Sequence, residues 1–257
     1  MSGFLSVSER VHLLHVTHGR AGRPTLADLV RSGEIPTSEE SKGYCGPDAR
    51  FVEKQVSYPP SVYFYAGRAC PVYGQAALAF APASERERFH SATPFGTGGV
   101  VNQALNSAFR LNLQPDGLDR RVAYCQASTL YANGEPGWRA DFARWLAYYF
   151  PSDPAGYWTK APEKRDPEDL YYLNGDWQAW TWEVRFSRGP SVLEAERWAV
   201  DPAYHSELRQ SLDEVDLAPA EAARLSGFMA RLQAPTGTAT FCKDLEKWVR
   251  EQCMSKS

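Results

Sequence analysis

The sequence predicts an α+β fold, on three observations. Strand-length runs of β-branched and aromatic residues fill its middle. Helical periodicity dominates its end. The chain has 257 residues, 43% of them hydrophobic, so it can bury a core without a metal or disulfide staple.

Val11 to Thr17 alternates loosely and ends β-branched, which predicts a first strand. Gly19 and Gly22 open a turn. Thr25 then caps a short helix from Leu26 to Ser32, which Gly33 stops. Residues 36–60 are rich in polar and turn-forming types and read as a long loop. Ser61 to Tyr65 and Ala76 to Phe80 read as strands joined like a hairpin. The cluster Glu85-Arg86-Glu87-Arg88 reads as a solvated loop, and Val100 to Leu111 as a helix. Phe142, Trp145, Leu146 and Tyr149 repeat at i, i+3, i+4 and i+7, an amphipathic helix within 140–150. A Pro-rich loop spans 151–169. The strand Trp180 to Phe186 follows, then a Gly189-Pro190 turn and a strand from Val192 to Val200. Residues 203–213, 218–232 and 240–252 read as helices.

The net charge of −3 and pI near 6.0 give no overall basic excess that announces nucleic acid, although a local patch stays open. Five cysteines, an odd number with no CxxC pair, read as reduced thiols. The start lacks the pattern of an export signal, and no apolar run has the length of a membrane span. The expectation is a cytoplasmic protein without a membrane partner.

Several residue groups invite a chemical reading. His12, His15 and His18 are spaced by three. On a strand His15 faces away from the other two, so a three-histidine metal site is disfavoured and no metal is expected. Gly96-Thr97-Gly98-Gly99 has phosphate-cradle composition, but no Lys-Ser/Thr follows, so a plain turn is preferred. Cys70 has Arg68 nearby to lower its pKa but no identifiable base, so it reads as a packing residue. The Trp177, Trp180 and Trp182 cluster suits either core or a binding wall. Glu183 is a carboxylate within an aromatic strand. Thr181, Glu183 and Arg185 share one polar face, which is either plain surface or the floor of a cleft.

Three segments together resemble the ADP-ribosyltransferase superfamily, in particular the DarT-type nucleic-acid ADP-ribosyltransferase toxins. The first is Leu14-His15-Val16-Thr17-His18 with Leu26, Leu29, Gly33 and Ile35 after it. The second is Val62-Tyr63-Phe64-Tyr65, with Arg68 and then Tyr73 five residues on. Here Pro71 is displaced by one and the family's Met is missing. The third is Trp182-Glu183-Val184 with the turn and strand that follow. The resemblance covers about residues 10–202 and does not reach the C-terminal helices.

The resemblance implies an ADP-ribosyltransferase-like split β-sandwich core with flanking helices. It places the catalytic domain at 1–202 and makes 203–257 a helical extension packed on that domain. NAD would be the co-substrate. Glu183 would stabilise the oxocarbenium-like ribosyl cation and Arg68 would pair with the pyrophosphate or orient the acceptor. His15, Thr17, Tyr65 and Tyr73 would bind NAD: His15 at the ribose or amide region, Tyr73 stacked on nicotinamide. Tyr172, Asn174 and Trp177 would meet the acceptor, a DNA or RNA base by resemblance. The implied activity is mono-ADP-ribosyl transfer in a toxin or phage-defence setting, with an antitoxin as the implied partner. The competing expectations are a protein-modifying transferase, an NAD glycohydrolase and a silent binding module of the same fold.

Overall fold

The computed structural model describes residues 2–17, 26–41, 47–68, 76–82, 88–101, 118–132, 138–164, 181–201, 204–213, 216, 218–220, 222–223 and 241–255. The predicted sites Tyr73, Tyr172, Asn174 and Trp177 lie outside them. So do His18, Cys70 and most of the predicted helices 100–111 and 218–232.

Seven strands form one antiparallel sheet. They are β1 (Leu13–Thr17), β2 (Val62–Ala66), β3 (Ala76–Phe80), β4 (Phe89–Thr93), β5 (Leu130–Tyr131), β6 (Glu183–Phe186) and β7 (Arg197–Val200). Their order across the sheet is β5-β4-β6-β2-β1-β3-β7. The described helices are α1 (Ser2–Arg10), α2 (Leu26–Ser32), α3 (Pro47–Val56), α4 (Thr97–Val101), α5 (Leu118–Ala127), α6 (Trp138–Tyr149), α7 (Gly156–Thr159), α8 (His205–Asp213) and α9 (Phe241–Met254). The α+β class is therefore as expected.

Several elements differ from the sequence reading. β2 and β3 are not a hairpin, because β1 lies between them and pairs with both. Helix α3 occupies part of the predicted long loop. The predicted strand from Val192 begins instead as a 3-10 turn, Val192–Glu194, closed by a reciprocal Ser191/Glu194 capping box. Only Arg197–Val200 is strand. Strand β4 and helices α1 and α5 were not anticipated.

Register assigns the faces. Leu14 opposes Tyr65, and Tyr65 opposes Glu183. Directly opposed residues point to the same side of a pleated sheet. One face thus carries Phe64, Phe80 and Phe186. The Phe64 ring lies 4.4 Å from Phe186 and 5.6 Å from Phe80. The other face carries Tyr63, Tyr65, Glu183 and Arg185 beside Ser91 and Thr93 of β4. Helix α9 packs on β3 and β7. Its Trp248 meets His12 edge-on at 4.9 Å and Arg197 at 5.2 Å.

Tryptophan at 182 is core. It is 2% exposed and lies 5.3 Å from Phe142 and 6.0 Å from Trp138, both on α6. Burying a large ring of this kind contributes about 1.5–3 kcal/mol. Tyr157 of α7 ties this cluster to the sheet. Its hydroxyl donates to the Ala66 carbonyl at 2.8 Å and accepts from the Trp182 N–H at 3.3 Å.

At the end of β2, Gly67 has φ +68, and an added Cβ would lie 2.7 Å from Val11 and 2.8 Å from Trp158. Both neighbours are buried. Left-handed backbone and overpacking act together here. Gly67→Ala should therefore destabilise the fold by about 2–4 kcal/mol, read from urea unfolding. An unchanged midpoint would refute this packing account.

Candidate active site

Glu183 is the first residue of β6 and is 3% exposed. The polar face that alternation left open is thus buried beneath other elements. Arg185, two residues on, is fully buried and donates from Nη1 to Glu183 Oε1 at 2.7 Å. The Thr97 hydroxyl, at the first position of α4, donates to the same oxygen at 2.5 Å. Two side-chain donors from different elements therefore converge on Oε1.

Arg185 is itself held. Its Nε donates to Ser91 Oγ at 2.8 Å and its Nη1 reaches Thr93 Oγ1 at 3.4 Å. Its guanidinium lies 4.0 Å over the Tyr58 ring. The Tyr58 hydroxyl pairs with Thr129 Oγ1 at 2.5 Å, just beyond α5. This shell matters because a buried charge is tolerated only when paired and hydrogen-bonded.

Burial raises the Glu183 carboxyl above its ordinary pKa, while Arg185 and Thr97 pull it down; the net direction is upward. Burial also pushes the Tyr58 phenol up to about 12 and the Cys125 thiol far above its usual range. Cys125 is therefore no thiolate nucleophile.

A second buried carboxylate, Glu53 of α3, lies on the far side of Tyr63. It accepts from the Tyr63 hydroxyl at 2.8 Å, from Ser38 Oγ at 2.6 Å and from the Ser61 N–H at 3.2 Å. Burial raises its pKa, with the Ser38 and Tyr63 bonds opposing.

His15 sits where β1 and β2 part. Gly67 N–H bonds the His12 carbonyl, Leu13 faces Ala66 and Leu14 faces Tyr65, and the β1–β2 pairing ends there. β1 stays paired to β3 through Thr17. The next ladder bond would use the Tyr63 carbonyl. The His15 ring takes that carbonyl instead, donating from Nδ1 at 2.9 Å. Since a carbonyl only accepts, the neutral ring keeps Nε2 as an acceptor. Burial lowers the His15 pKa to about 4, against the opposing Tyr63 carbonyl.

The predicted residues are only partly assembled. Tyr65 and Glu183 are cross-strand neighbours on one face. His15 and Thr17 alternate to the opposite face, and His15 reaches β2 only through its edge. The Thr17 hydroxyl is spent on the Ala76 carbonyl at 3.3 Å. Arg68 is buried at the end of β2, where Nη1 donates to the Tyr157 carbonyl at 3.0 Å and the guanidinium lies 5.2 Å from the Tyr157 ring. Sequence reasoning missed Thr97, Ser91, Thr93 and Tyr58. The signal for Thr97 is its place in the glycine-rich segment Gly96-Thr97-Gly98-Gly99, whose composition also suits a plain turn.

Among the described residues no group of three or more His, Cys, Asp or Glu side chains is arranged to hold a metal, and no helix is long and apolar enough to cross a membrane. No family model matches the chain, and neither does any curated protein or solved structure.

Two measurements test the electrostatics. Arg185→Met strands a buried carboxylate and should cost about 3–5 kcal/mol in chemical unfolding; a loss below about 1 kcal/mol would show the pair to be dispensable. The second concerns pH. The folded protein binds the Glu183 proton more tightly than the unfolded chain does. This contribution is complete below the ordinary carboxylate pKa and fades as pH rises through the folded value. The stability of wild type minus that of Glu183→Gln should therefore fall as pH rises above the ordinary carboxylate pKa of about 4. A difference that rises with pH contradicts the raised pKa.

Proposed function

We propose that this protein is an NAD-dependent mono-ADP-ribosyltransferase with an ADP-ribosyltransferase-like split β-sandwich. The reading is carried by one observation: a buried, arginine-paired carboxylate, Glu183, lies directly across from Tyr65, next to the point where β1 parts from β2. In a water-poor setting a fixed carboxylate stabilises a developing ribosyl cation far better than it would in water.

In this reading Glu183 faces the ribose carbon as the nicotinamide bond breaks, and Tyr65 lines the same face. His15, held neutral at the seam, offers Nε2 to a ribose hydroxyl. Arg68 keeps the role of orienting the pyrophosphate or the acceptor, and its bond to Tyr157 fixes where it starts from. Tyr73 supplies the nicotinamide stack, and Tyr172, Asn174 and Trp177 supply the acceptor surface. The acceptor we favour is a nucleic-acid base, in a toxin or phage-defence setting with a neutralising partner.

One observation favours a second reading, a catalytically silent module. Glu183 is 3% exposed and its Oε1 already accepts from Arg185 and Thr97, as a purely structural ion pair would.

The deciding experiment incubates the protein with labelled NAD and separate pools of DNA, RNA and protein, beside Glu183→Gln. The expected outcome is label in the nucleic-acid pool and a loss of about 10²-fold or more in the variant. Label in protein would move the acceptor, and free ADP-ribose alone would indicate a glycohydrolase. Undiminished NAD in every pool would leave the silent module standing.

A further inference from the structure

We propose that Thr97 is a positioning residue for Glu183: together with Arg185 it clamps Oε1, so that Oε2 is the oxygen presented to the substrate's ribose. The proposal rests on the ADP-ribosyl-transfer reading and adds the glycine-rich segment 96–99 to the site.

A carboxylate group turns about its last torsion in broad, two-fold wells, so one hydrogen bond fixes its plane poorly. Two donors on the same oxygen fix it well. Here they come from separate elements, Arg185 Nη1 at 2.7 Å from the carboxylate's own strand and Thr97 Oγ1 at 2.5 Å from α4. Each donor is anchored independently. Ser91 and Tyr58 hold the guanidinium. Thr97 is fully buried, and α4 packs on α3 and α5. Gly96 and Gly98 flank Thr97. An added Cβ at Gly96 would meet no heavy atom within 4 Å.

Among the described residues, the titratable and charged groups coupled to Glu183 come from several surrounding elements. They are Arg185 on β6, Tyr63 on β2, Tyr58 after α3 and Cys125 on α5. Thr97 is the uncharged member. Its replacement therefore alters the carboxylate's orientation and hydrogen bonding without changing the local charge.

The test compares wild type, Thr97→Ser, Thr97→Val and Thr97→Ala in NAD consumption, with circular dichroism to confirm folding. In the Val and Ala variants kcat should fall about tenfold while KM for NAD stays within about twofold, because a bond to a charged group is lost without loss of a substrate contact. The acid limb of kcat/KM should move to higher pH, since the Thr97 bond lowers the Glu183 pKa. Thr97→Ser, which keeps the hydroxyl, should restore both. Wild-type kcat in Thr97→Val or Thr97→Ala, or a Ser variant no better than Val, would overturn the proposal while leaving the NAD reading intact. A wild-type protein that consumes no NAD would overturn the reading, and the proposal with it. If Val and Ala both fail to fold, Thr97→Ser decides: an active Ser variant with the wild-type acid limb supports the clamp, and a shifted limb overturns it.

Discussion

The pairing of Glu183 with Arg185 is the constraint around which much of this structure is arranged. Their side chains are 4% and 0% exposed. Taking two charges out of water costs several kcal/mol per ion even after relaxation, and mutual attraction alone rarely repays it. The surroundings supply much of the rest, with Arg185 Nη2 buried and without a hydrogen-bond partner among the described residues. Ser91 and Thr93 enter because β4 pairs with β6 in the register that opposes them to Arg185 and Glu183. Tyr58 enters from the turn after α3, and Thr97 from α4. A strand, a turn and a short helix thus converge on two side chains, and the segments carrying them gain tertiary reasons for their conformations.

A second tie runs through Tyr63. Its side chain lies on the Glu183 face and its hydroxyl bonds Glu53 of α3. Its carbonyl accepts from His15 across the seam between β1 and β2. One residue therefore links a helix above the sheet to the place where two strands part. The histidine satisfies a backbone group that the interrupted ladder would otherwise leave exposed, which is the condition for opening a sheet in its interior. In the same act it fixes its own ring.

The sequence made some of this legible and hid the rest for definable reasons. β1, β2 and β3 were readable because they are largely apolar runs bounded by turn residues, and β6 because charged and apolar residues alternate along it. Helices α6 and α9 were readable from periodicity. β4 was not, because Phe89-His90-Ser91-Ala92-Thr93 has neither clean alternation nor β-branched density; it is a strand through its pairing with β5 and β6. Helix α3 begins at Pro47 inside a polar stretch, and its buried Val52 and Val56 make sense only against α4 and α5. The hairpin expected of β2 and β3 failed because sequence neighbours need not pair when an earlier strand inserts between them. For the site, alternation correctly grouped Glu183 and Arg185 on one face. Whether that face was wet depended on α3, α4 and α5, which no local pattern around residue 183 reports.

The same burial sets a demand on any chemistry at Glu183. To stabilise a cation the carboxylate must be ionised although desolvation favours its neutral form. Arg185 and Thr97 oppose that pressure. Yet a carboxylate fully neutralised by arginine attracts a second cation weakly. The two requirements are reconciled only if the compensating donors engage one oxygen and leave the negative density of the other directed elsewhere. In the proposed reading, the convergence of both side-chain donors on Oε1 serves that condition, with the Thr97 backbone N–H as a further donor to the carboxylate. A structural ion pair has no need of such asymmetry, since a bidentate arginine would use both oxygens and bind more strongly.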